Sequence, residues 1–171
     1  MSGFPARLVF VRHGRTDWNA AGLTMGWTDV PLNRAGVAEA LALRPAIART
    51  GPTSVWVSPL RRCRQTARLC LPRPSGLPTR LGPDLRERCW SRWEGRPAAE
   101  RDPGDAEPMD AFEARVARAL AAIDDEGLPL VVAHSGVLRA ILSLSGGGPW
   151  SGTVPHARPI EIVRGVPRRM P

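Results

Sequence analysis

The sequence predicts an α/β fold, a three-layer sandwich in which a mostly parallel central sheet carries helices on both faces. Three observations support this prediction. Short apolar runs of strand length alternate with longer segments of helical period, Gly- and Pro-rich stretches separate them, and no internal repeat is present. A chain of 171 residues is long enough to bury one substantial core, so residues 1–171 are predicted to form a single domain.

The first predicted strand and helix are separated by a long loop. Residues 7–11 are an apolar run that ends at charged residues, as expected of a buried strand. Residues 12–32 have no helical period and contain several glycines, which predicts a loop. Asn33 is a favourable N-cap for a helix that extends to about Arg49.

The second predicted strand and helix lead into irregular chain. Residues 53–57 have the apolar character of a buried strand, and residues 61–71 are predicted to form the helix that follows it. Residues 72–83 are rich in Pro and Gly and are predicted to be a connector. Residues 96–108 are polar and contain three prolines, so they are predicted to form a loop.

The last third of the chain repeats the alternation of helix and strand. Residues 109–125 are a predicted amphipathic helix with one apolar face. Residues 130–133 are the third predicted strand, and residues 137–144 are predicted to form the helix that follows it at once. Residues 161–163 are predicted to be a last strand, and residues 166–171 a frayed tail.

The charge of the chain favours an anionic substrate over a nucleic acid. The formal net charge is +8, and all 24 basic residues are arginines. These arginines are scattered from Arg7 to Arg169, whereas a nucleic-acid site needs a basic stripe with interleaved aromatic residues. We therefore predict no nucleic-acid partner, and we expect the excess positive charge to attract anionic substrates.

Apolar segments and cysteines set the expected location of the chain. No segment approaches the roughly 18 uninterrupted apolar residues of a membrane span, and residues 1–11 lack the core of a signal peptide. We therefore expect a cytoplasmic protein with no membrane partner. The three cysteines, Cys63, Cys70 and Cys89, have no CxxC spacing and are expected to be reduced. None begins the Cys-x5-Arg loop of cysteine phosphatases, which excludes that mechanism.

Two of the three histidines follow predicted strands. His13 comes after the first strand and His134 after the third, each beside a glycine. Either histidine alone could be a structural residue. Because the carboxyl ends of parallel strands meet at one edge of the sheet, two histidines in equivalent places favour a shared site.

Arginines accompany these histidines. Arg12 directly precedes His13, and Arg61, Arg62 and Arg64 open the helix after the second strand. The guanidinium group is a planar, permanently charged fork that suits the equatorial oxygens of a phosphoryl group in transfer. Adjacent arginines also lower the pKa of a histidine and keep it neutral and nucleophilic near pH 7.

Several blocks resemble, in family order, the histidine phosphatase superfamily, which includes the cofactor-dependent phosphoglycerate mutases. Arg12-His13-Gly14 resembles the RHG motif of that family. The matching blocks are RHGRTDWN (12–19), GWTDVPL (26–32), SPLRRCRQTA (58–67), LRE (85–87) with WEG (93–95), PG (103–104) with Phe112 and Arg115-Val116, and VVAHSG (131–136). Several ordered motifs are far more specific than the RHG tripeptide alone.

The resemblance implies a phosphoglycerate mutase-like fold and a phosphohistidine intermediate. His13 would be the nucleophile, and Glu87 would protonate the leaving alkoxide and then take a proton from the attacking water. The residues implied to bind the phosphoryl oxygens are Arg12, Asn19, Arg62 and His134. No cofactor or metal is implied, and the sequence has no cluster with metal-ligand spacing.

Departures from the family pattern bear on the pocket and on Glu87. Ser91 stands where the family usually has glycine, which implies an altered turn near Glu87. The chain around residues 96–108 is shorter than usual for the family, which implies a shortened cap and an open pocket. Trp90 and Trp93 are candidates to line that pocket, with core packing as the alternative for Trp93.

The expected activity is metal-independent hydrolysis of a small phosphorylated metabolite. Residues 65–67 (QTA) resemble the phosphatase branch, whereas residues 26–27 and 39–40 resemble the mutases. A phosphoglycerate mutase-type phosphotransferase and a protein phosphohistidine phosphatase stay open as alternatives. Sugar phosphates, nucleotide-pathway phosphates such as α-ribazole phosphate, and phosphohistidine proteins are the compatible substrates, and the sequence favours no oligomeric state.

Overall fold

The computed structural model describes residues 4–73, 75–123 and 127–170, and six strands of this chain form one sheet. The strands are β1 (Arg7–Arg12), β2 (Ser54–Val57), β3 (Thr79–Leu81), β4 (Pro129–Ala133), β5 (Pro159–Val163) and β6 (Val166–Arg169). Their order is β3-β2-β4-β1-β5-β6. The first four strands in this order are parallel to one another. β5 pairs antiparallel with β1, and β6 pairs antiparallel with β5. The predicted mostly parallel α/β sheet is confirmed.

Helices connect the parallel strands. They are α1 (Asp17–Ala20), α2 (Arg34–Ala42), α3 (Arg44–Thr50), α4 (Arg61–Cys70), α5 (Met109–Ala121) and α6 (Ser135–Leu144). Short 3-10 turns lie at Pro83–Leu85, Ser91–Trp93 and Pro103–Asp105. Within the described part of the chain, no helix has the length and apolar character that a membrane span requires.

The sheet is buried on both faces, because two separate apolar clusters cover it. Side chains of a strand alternate between faces. Leu8 and Phe10 of β1 therefore face the cluster that includes α5 and α6, and Val9 and Val11 face the cluster that includes α3 and α4. Burial on both faces explains why the parallel strands are continuous apolar runs. The predicted helices on both faces are confirmed.

The predicted helix from Asn33 to about Arg49 is wrong as a single element. The N-cap is correct, since the Asn33 side chain accepts a hydrogen bond from the Gly36 N–H at 2.9 Å. The helix is interrupted at Leu43, and α3 starts immediately beyond it with Pro45 in its first turn. Proline has no N–H with which to continue the hydrogen bonding of α2, so a new helix begins there.

Other boundaries also differ from the prediction. The connector 72–83 contains β3, the tail 166–171 contains β6, and the loop 12–32 contains α1. Both missed strands are joined to the sheet through backbone pairing, and all three residues of β3 are exposed, so no apolar pattern marks it. Helix α5 ends at Ala121, and residues 124 and 125 of the predicted helix lie outside the described residues.

Candidate active site

Strand pairing brings His13 and His134 together. β1 and β4 are parallel neighbours, with Arg12 opposite Ala133 at their carboxyl ends, and each histidine is the next residue. The backbone N–H of His13 donates to the carbonyl oxygen of Ala133 at 3.0 Å. The two imidazole rings pack edge to face with their centroids 5.3 Å apart.

The geometry around His13 fixes its tautomer. Its Nδ1 atom lies 2.7 Å from the carbonyl oxygen of Gly14, which accepts only, so Nδ1 carries the proton and Nε2 keeps its lone pair. Burial, together with the charges of Arg62 and Arg12, holds the pKa of His13 well below its usual value of 6.5. His13 is therefore a neutral imidazole with an available nucleophilic nitrogen at pH 7.

Arg62 is held rigidly, in contrast to its neighbours. It is fully buried, whereas Arg61 and Arg64 are exposed. The two terminal nitrogens of Arg62 donate to the carbonyl oxygens of Gly26 at 2.7 Å and Thr28 at 2.9 Å. These bonds fix the plane of the guanidinium group and leave its buried Nε without a partner.

Arg12 is fixed by the chain that leads into β5. Its Nη1 donates to the carbonyl oxygen of Val154 at 2.6 Å, and its buried Nε has no partner. Burial lowers the pKa of Arg12 to about 10, so the group keeps its charge at neutral pH. Two buried guanidinium groups with unsatisfied donors thus accompany His13.

The carboxylate of Glu87 lies at the N-terminus of α6. It accepts hydrogen bonds from the Gly136 N–H at 3.0 Å and the Ser135 hydroxyl at 3.4 Å. A Cβ atom at Gly136 would collide with this carboxylate, so the close approach requires glycine. The Arg88 N–H donates to the other carboxylate oxygen at 2.9 Å.

The backbone of Glu87 is held from the opposite side. Its carbonyl oxygen accepts bonds from the Arg115 Nη2 and the Trp27 Nε1, both at 2.8 Å. Arg115 also forms a buried ion pair with Glu107 at 2.7 Å. Arg115 lies in one of the blocks that resemble the family, but no role was predicted for it; an arginine on the apolar face of α5 beside Phe112 is the signal of that role.

His134 is held by two buried side chains, Ser58 and Cys63, which lie in the matching block 58–67 but for which no role was predicted. Its Nε2 lies 2.8 Å from the Ser58 hydroxyl and 3.5 Å from the Cys63 sulfur. Burial and the Arg62 charge hold the pKa of His134 well below 6.5. Burial also raises the pKa of Cys63 to about 12, so this thiol stays protonated.

The third histidine, His156, also lies at the site. Its Nδ1 is 2.8 Å from the carbonyl oxygen of His13, and the two ring centroids are 5.5 Å apart. Burial, then the charge of Arg12, lowers the pKa of His156 to about 4. It precedes β5, an antiparallel strand, so the rule that places sites after parallel strands could not find it.

Asn19 lies in α1, the short helix that follows β1 in the chain. Its side-chain oxygen accepts from the backbone N–H of Thr16 at 3.2 Å and from the Thr16 hydroxyl at 3.1 Å. This capping box starts α1. The carboxamide nitrogen of Asn19 is left as the group that could donate to a ligand.

A cavity of about 1040 Å³ lies at this site and is lined by several of the residues described above. The sequence-predicted residues on its wall are Arg12, His13, Asn19, Arg62 and Glu87, whereas His134 is fully buried beside His13. Trp90 lines the cavity, but Trp93 instead donates its Nε1–H to Asp105 at 3.1 Å. Ser91 has φ of 51°, the left-handed conformation that glycine adopts most easily.

Among residues 4–73, 75–123 and 127–170, no group of three or more His, Cys, Asp or Glu side chains is placed to hold a metal ion.

Comparison with known proteins identifies the family to which this chain is similar. The family model of the histidine phosphatase superfamily (branch 1) matches residues 8–157. The chain is 32% identical over 158 residues to the adenosylcobalamin/alpha-ribazole phosphatase of Salmonella typhimurium, a match that covers 80% of this chain and 78% of that protein.

Two solved structures resemble the whole fold. The alpha-ribazole phosphatase from Shigella flexneri superposes with a TM-score of 0.81 at 27% identity, covering 96% of this chain and 94% of that one. A phosphoglycerate mutase from Thermus thermophilus gives a TM-score of 0.75 at 33% identity, covering 91% of this chain and 92% of that one.

Proposed function

This chain belongs to the histidine phosphatase superfamily, and from that premise we propose that it is a phosphomonoester hydrolase acting through a phosphohistidine on His13. One observation carries the proposal. The Nδ1–H of His13 donates to Gly14, so its Nε2 is free to attack, and the buried Arg12 and Arg62 each retain an unpaired Nε donor. A phosphatase relative supports the same activity.

In the first step, Nε2 of His13 attacks phosphorus and the bond from phosphorus to the ester oxygen breaks. Arg12 and Arg62 stabilise the charge on the phosphoryl oxygens in the transition state. Asn19, through its carboxamide nitrogen, would donate to the same oxygens, and so would His134 once its ring turns away from the Ser58 hydroxyl, 2.8 Å from its Nε2. The proton of the Glu87 carboxyl group goes to the leaving oxygen, which departs as an alcohol.

In the second step, water attacks the phosphorus of the phosphohistidine. Glu87, now a carboxylate, takes a proton from this water, and the bond from phosphorus to Nε2 breaks. The products are inorganic phosphate and a neutral His13. Every charge that the reaction needs is supplied by side chains of this chain, so we propose that no metal ion takes part.

The competing activity is phosphoryl transfer of the mutase kind, in which the intermediate must be shielded from water. The segment from Arg96 to Pro108 favours hydrolysis, because it is short and forms no helix longer than the 3-10 turn at Pro103–Asp105. An open cavity gives water access to the phosphohistidine. We therefore propose a phosphatase whose substrate is a small phosphorylated metabolite.

A phosphorus NMR assay separates the two activities. The protein is incubated with 3-phosphoglycerate and catalytic 2,3-bisphosphoglycerate, with and without a chelator. We expect release of inorganic phosphate, little 2-phosphoglycerate, and the same rate in the chelator. Faster appearance of 2-phosphoglycerate than of phosphate would identify a mutase. A panel of other esters, including alpha-ribazole phosphate, would then identify the preferred substrate.

A further inference from the structure

Unpaired buried polar atoms occur together in this structure. Among the described residues, the buried side-chain nitrogen and oxygen atoms that lack a hydrogen-bond partner are Arg12 Nε, Thr24 Oγ1, Arg62 Nε and Trp150 Nε1. All four residues line the same cavity. Buried polar groups in folded proteins nearly always have a partner. Their concentration on one cavity wall therefore indicates that a ligand supplies the missing bonds.

The two arginine atoms are accounted for by the phosphoryl group, but Thr24 and Trp150 are not. Neither of these residues belongs to the set that surrounds His13. A phosphomonoester has a second part, its leaving group, which must occupy the remainder of the cavity. Thr24 and Trp150 are therefore candidates to bind that part.

The position of Thr24 is fixed by its backbone. Its N–H donates to the carbonyl oxygen of Arg96 at 2.8 Å, and its own carbonyl oxygen accepts from the Gly95 N–H at 3.0 Å. The side chain is 1% exposed. The hydroxyl group is thus held in the wall of the cavity, where it can both donate to and accept from a ligand.

The position of Trp150 is fixed by Arg139. The two terminal nitrogens of Arg139 donate to the carbonyl oxygens of Trp150 at 3.0 Å and Gly152 at 2.8 Å. The Trp150 side chain packs against the apolar cluster that covers one face of the sheet. Its indole N–H can only donate, so its ligand partner must be an acceptor.

We propose that Thr24 and Trp150 form a leaving-group subsite, and that the leaving group is a sugar or sugar-bearing alcohol. This inference rests on the proposed phosphatase function, which it extends to substrate class. Sugar hydroxyls accept from Trp150 and exchange hydrogen bonds with Thr24. The rest of the wall includes apolar side chains, which suit the C–H surfaces of a sugar ring: Leu23, Met25, Met109 and Phe112.

The size of the cavity agrees with this class. At about 1040 Å³ it is at the upper end of the range for small-molecule pockets. A three-carbon acid such as glycerate would fill little of it. Sites built to bind a hydroxyl group reject analogues that lack it, because the buried partners are then left unpaired.

The test compares ribose 5-phosphate with n-pentyl phosphate, which has the same number of carbons but no sugar hydroxyls. Binding is measured by calorimetry on the full chain carrying His13→Ala, which cannot form the phosphohistidine. Thr24→Val and Trp150→Phe are then added singly; the first replaces the hydroxyl with a methyl of the same shape, and the second removes the indole N–H and keeps an aromatic but smaller ring, whose lost packing affects both esters. We expect each to lower the ratio of ribose 5-phosphate affinity to n-pentyl phosphate affinity roughly 5- to 10-fold.

Thr79→Val is the matched control, because Thr79 lies exposed on the edge strand β3 and its hydroxyl contacts Leu77. This control should leave the ratio unchanged. An unchanged ratio in both Thr24→Val and Trp150→Phe would overturn the subsite. Hydrolysis of the two esters by the unmodified protein is measured separately. If the affinity ratio falls in the two variants but the unmodified protein hydrolyses neither ester, the subsite is supported and the phosphatase activity on these esters is rejected. If the esters are hydrolysed but the affinity ratio is unchanged, the subsite alone is rejected.

Discussion

The Nδ1 atom of His13 lies 2.7 Å from the carbonyl oxygen of Gly14, the next residue in the chain. This bond turns the ring so that Nε2, with its lone pair, is the reactive nitrogen. Gly14 is itself pressed against the backbone of Gly36, and a Cβ atom on Gly14 would lie 2.5 Å from the Gly36 carbonyl oxygen. The nucleophile is therefore oriented by backbone packing between the first loop and α2.

We predict that phosphate is transferred to His13. Rapid quenching of the protein with a labelled phosphomonoester, followed by mass spectrometry, should find acid-labile and base-stable phosphate on this residue. His13→Ala should carry no label. His156→Gln serves as a control, because His156 approaches His13 through the His13 carbonyl oxygen and the ring edge, so its removal should leave the label on His13. Label that persists in His13→Ala would reject His13 as the nucleophile.

Arg62 and Arg61 should respond very differently to substitution. Arg62 is fully buried with an unpaired Nε, whereas Arg61 is exposed at the start of α4. Removing a donor to the transition state costs roughly 10²–10³-fold in rate. Arg62→Ala should lose at least that factor in kcat/KM, and Arg61→Ala much less. Equal losses would mean that both arginines act only by attracting the anion.

Glu87→Gln should slow the hydrolysis of phosphate esters, and the loss of rate should be larger for esters whose alcohol is a poorer leaving group. General acid catalysis typically contributes roughly 10²–10⁴-fold. We expect a loss of that size in kcat for an alkyl phosphate, and a much smaller loss for p-nitrophenyl phosphate, whose phenolate departs without a proton. Glu113→Gln, on the same cavity wall, is the control. A uniform loss on both esters would contradict a proton-donor role.

Gly136→Ala should reproduce part of this effect without touching the carboxyl group. The added Cβ would meet the Glu87 carboxylate, the mobile end of a side chain, so the fold should adjust while the carboxylate moves. We expect lower kcat on alkyl phosphates with little change in the urea midpoint of unfolding. Full activity in Gly136→Ala would show that Glu87 does not need its place at the N-terminus of α6.

The free energy of unfolding should fall as the pH drops below about 6.5. Burial holds the pKa values of His13 and His134 well below that of an unfolded histidine, so the unfolded chain binds protons that the folded chain does not. Each fully buried histidine contributes up to about 1.4 kcal/mol per pH unit. Urea unfolding at pH 7, 6 and 5 measures the slope.

His156 should add a smaller share to the same slope, because it is partly exposed and burial lowers its pKa to about 4. His156→Gln should therefore make the fall in unfolding free energy shallower between pH 6.5 and 5. A stability that stays constant over this range would mean that the histidines take up protons in the folded protein.

The sequence is sufficient to predict the position of those strands and helices that bury apolar side chains. Strands β1, β2 and β4 and helices α4, α5 and α6 all have apolar faces, and each was predicted close to its true bounds. Strands β3 and β6 were missed because they join the sheet through backbone hydrogen bonds, which any sequence can make. The break at Leu43 was missed because apolar spacing continues across it while the backbone does not.

The same distinction applies to the site. His13 and His134 could be placed together because strand ends in a parallel sheet converge. The contacts that orient them come from a hydroxyl group of Ser58 and from backbone carbonyl oxygens. Such contacts depend on the path of the chain in space, and no spacing of residue types records that path.

The position of β1 in the sheet also determines when this site is completed during synthesis. β1 leaves the ribosome before the other five strands of this sheet, yet its two neighbours, β4 and β5, begin only at Pro129 and Pro159. Until then the backbone groups along both edges of β1 lack their strand partners. Pairings this distant in sequence make folding slow and leave the unfinished chain prone to aggregation. His13 is thus translated well before β4 and β5, and it reaches its working environment only after both strands have been made.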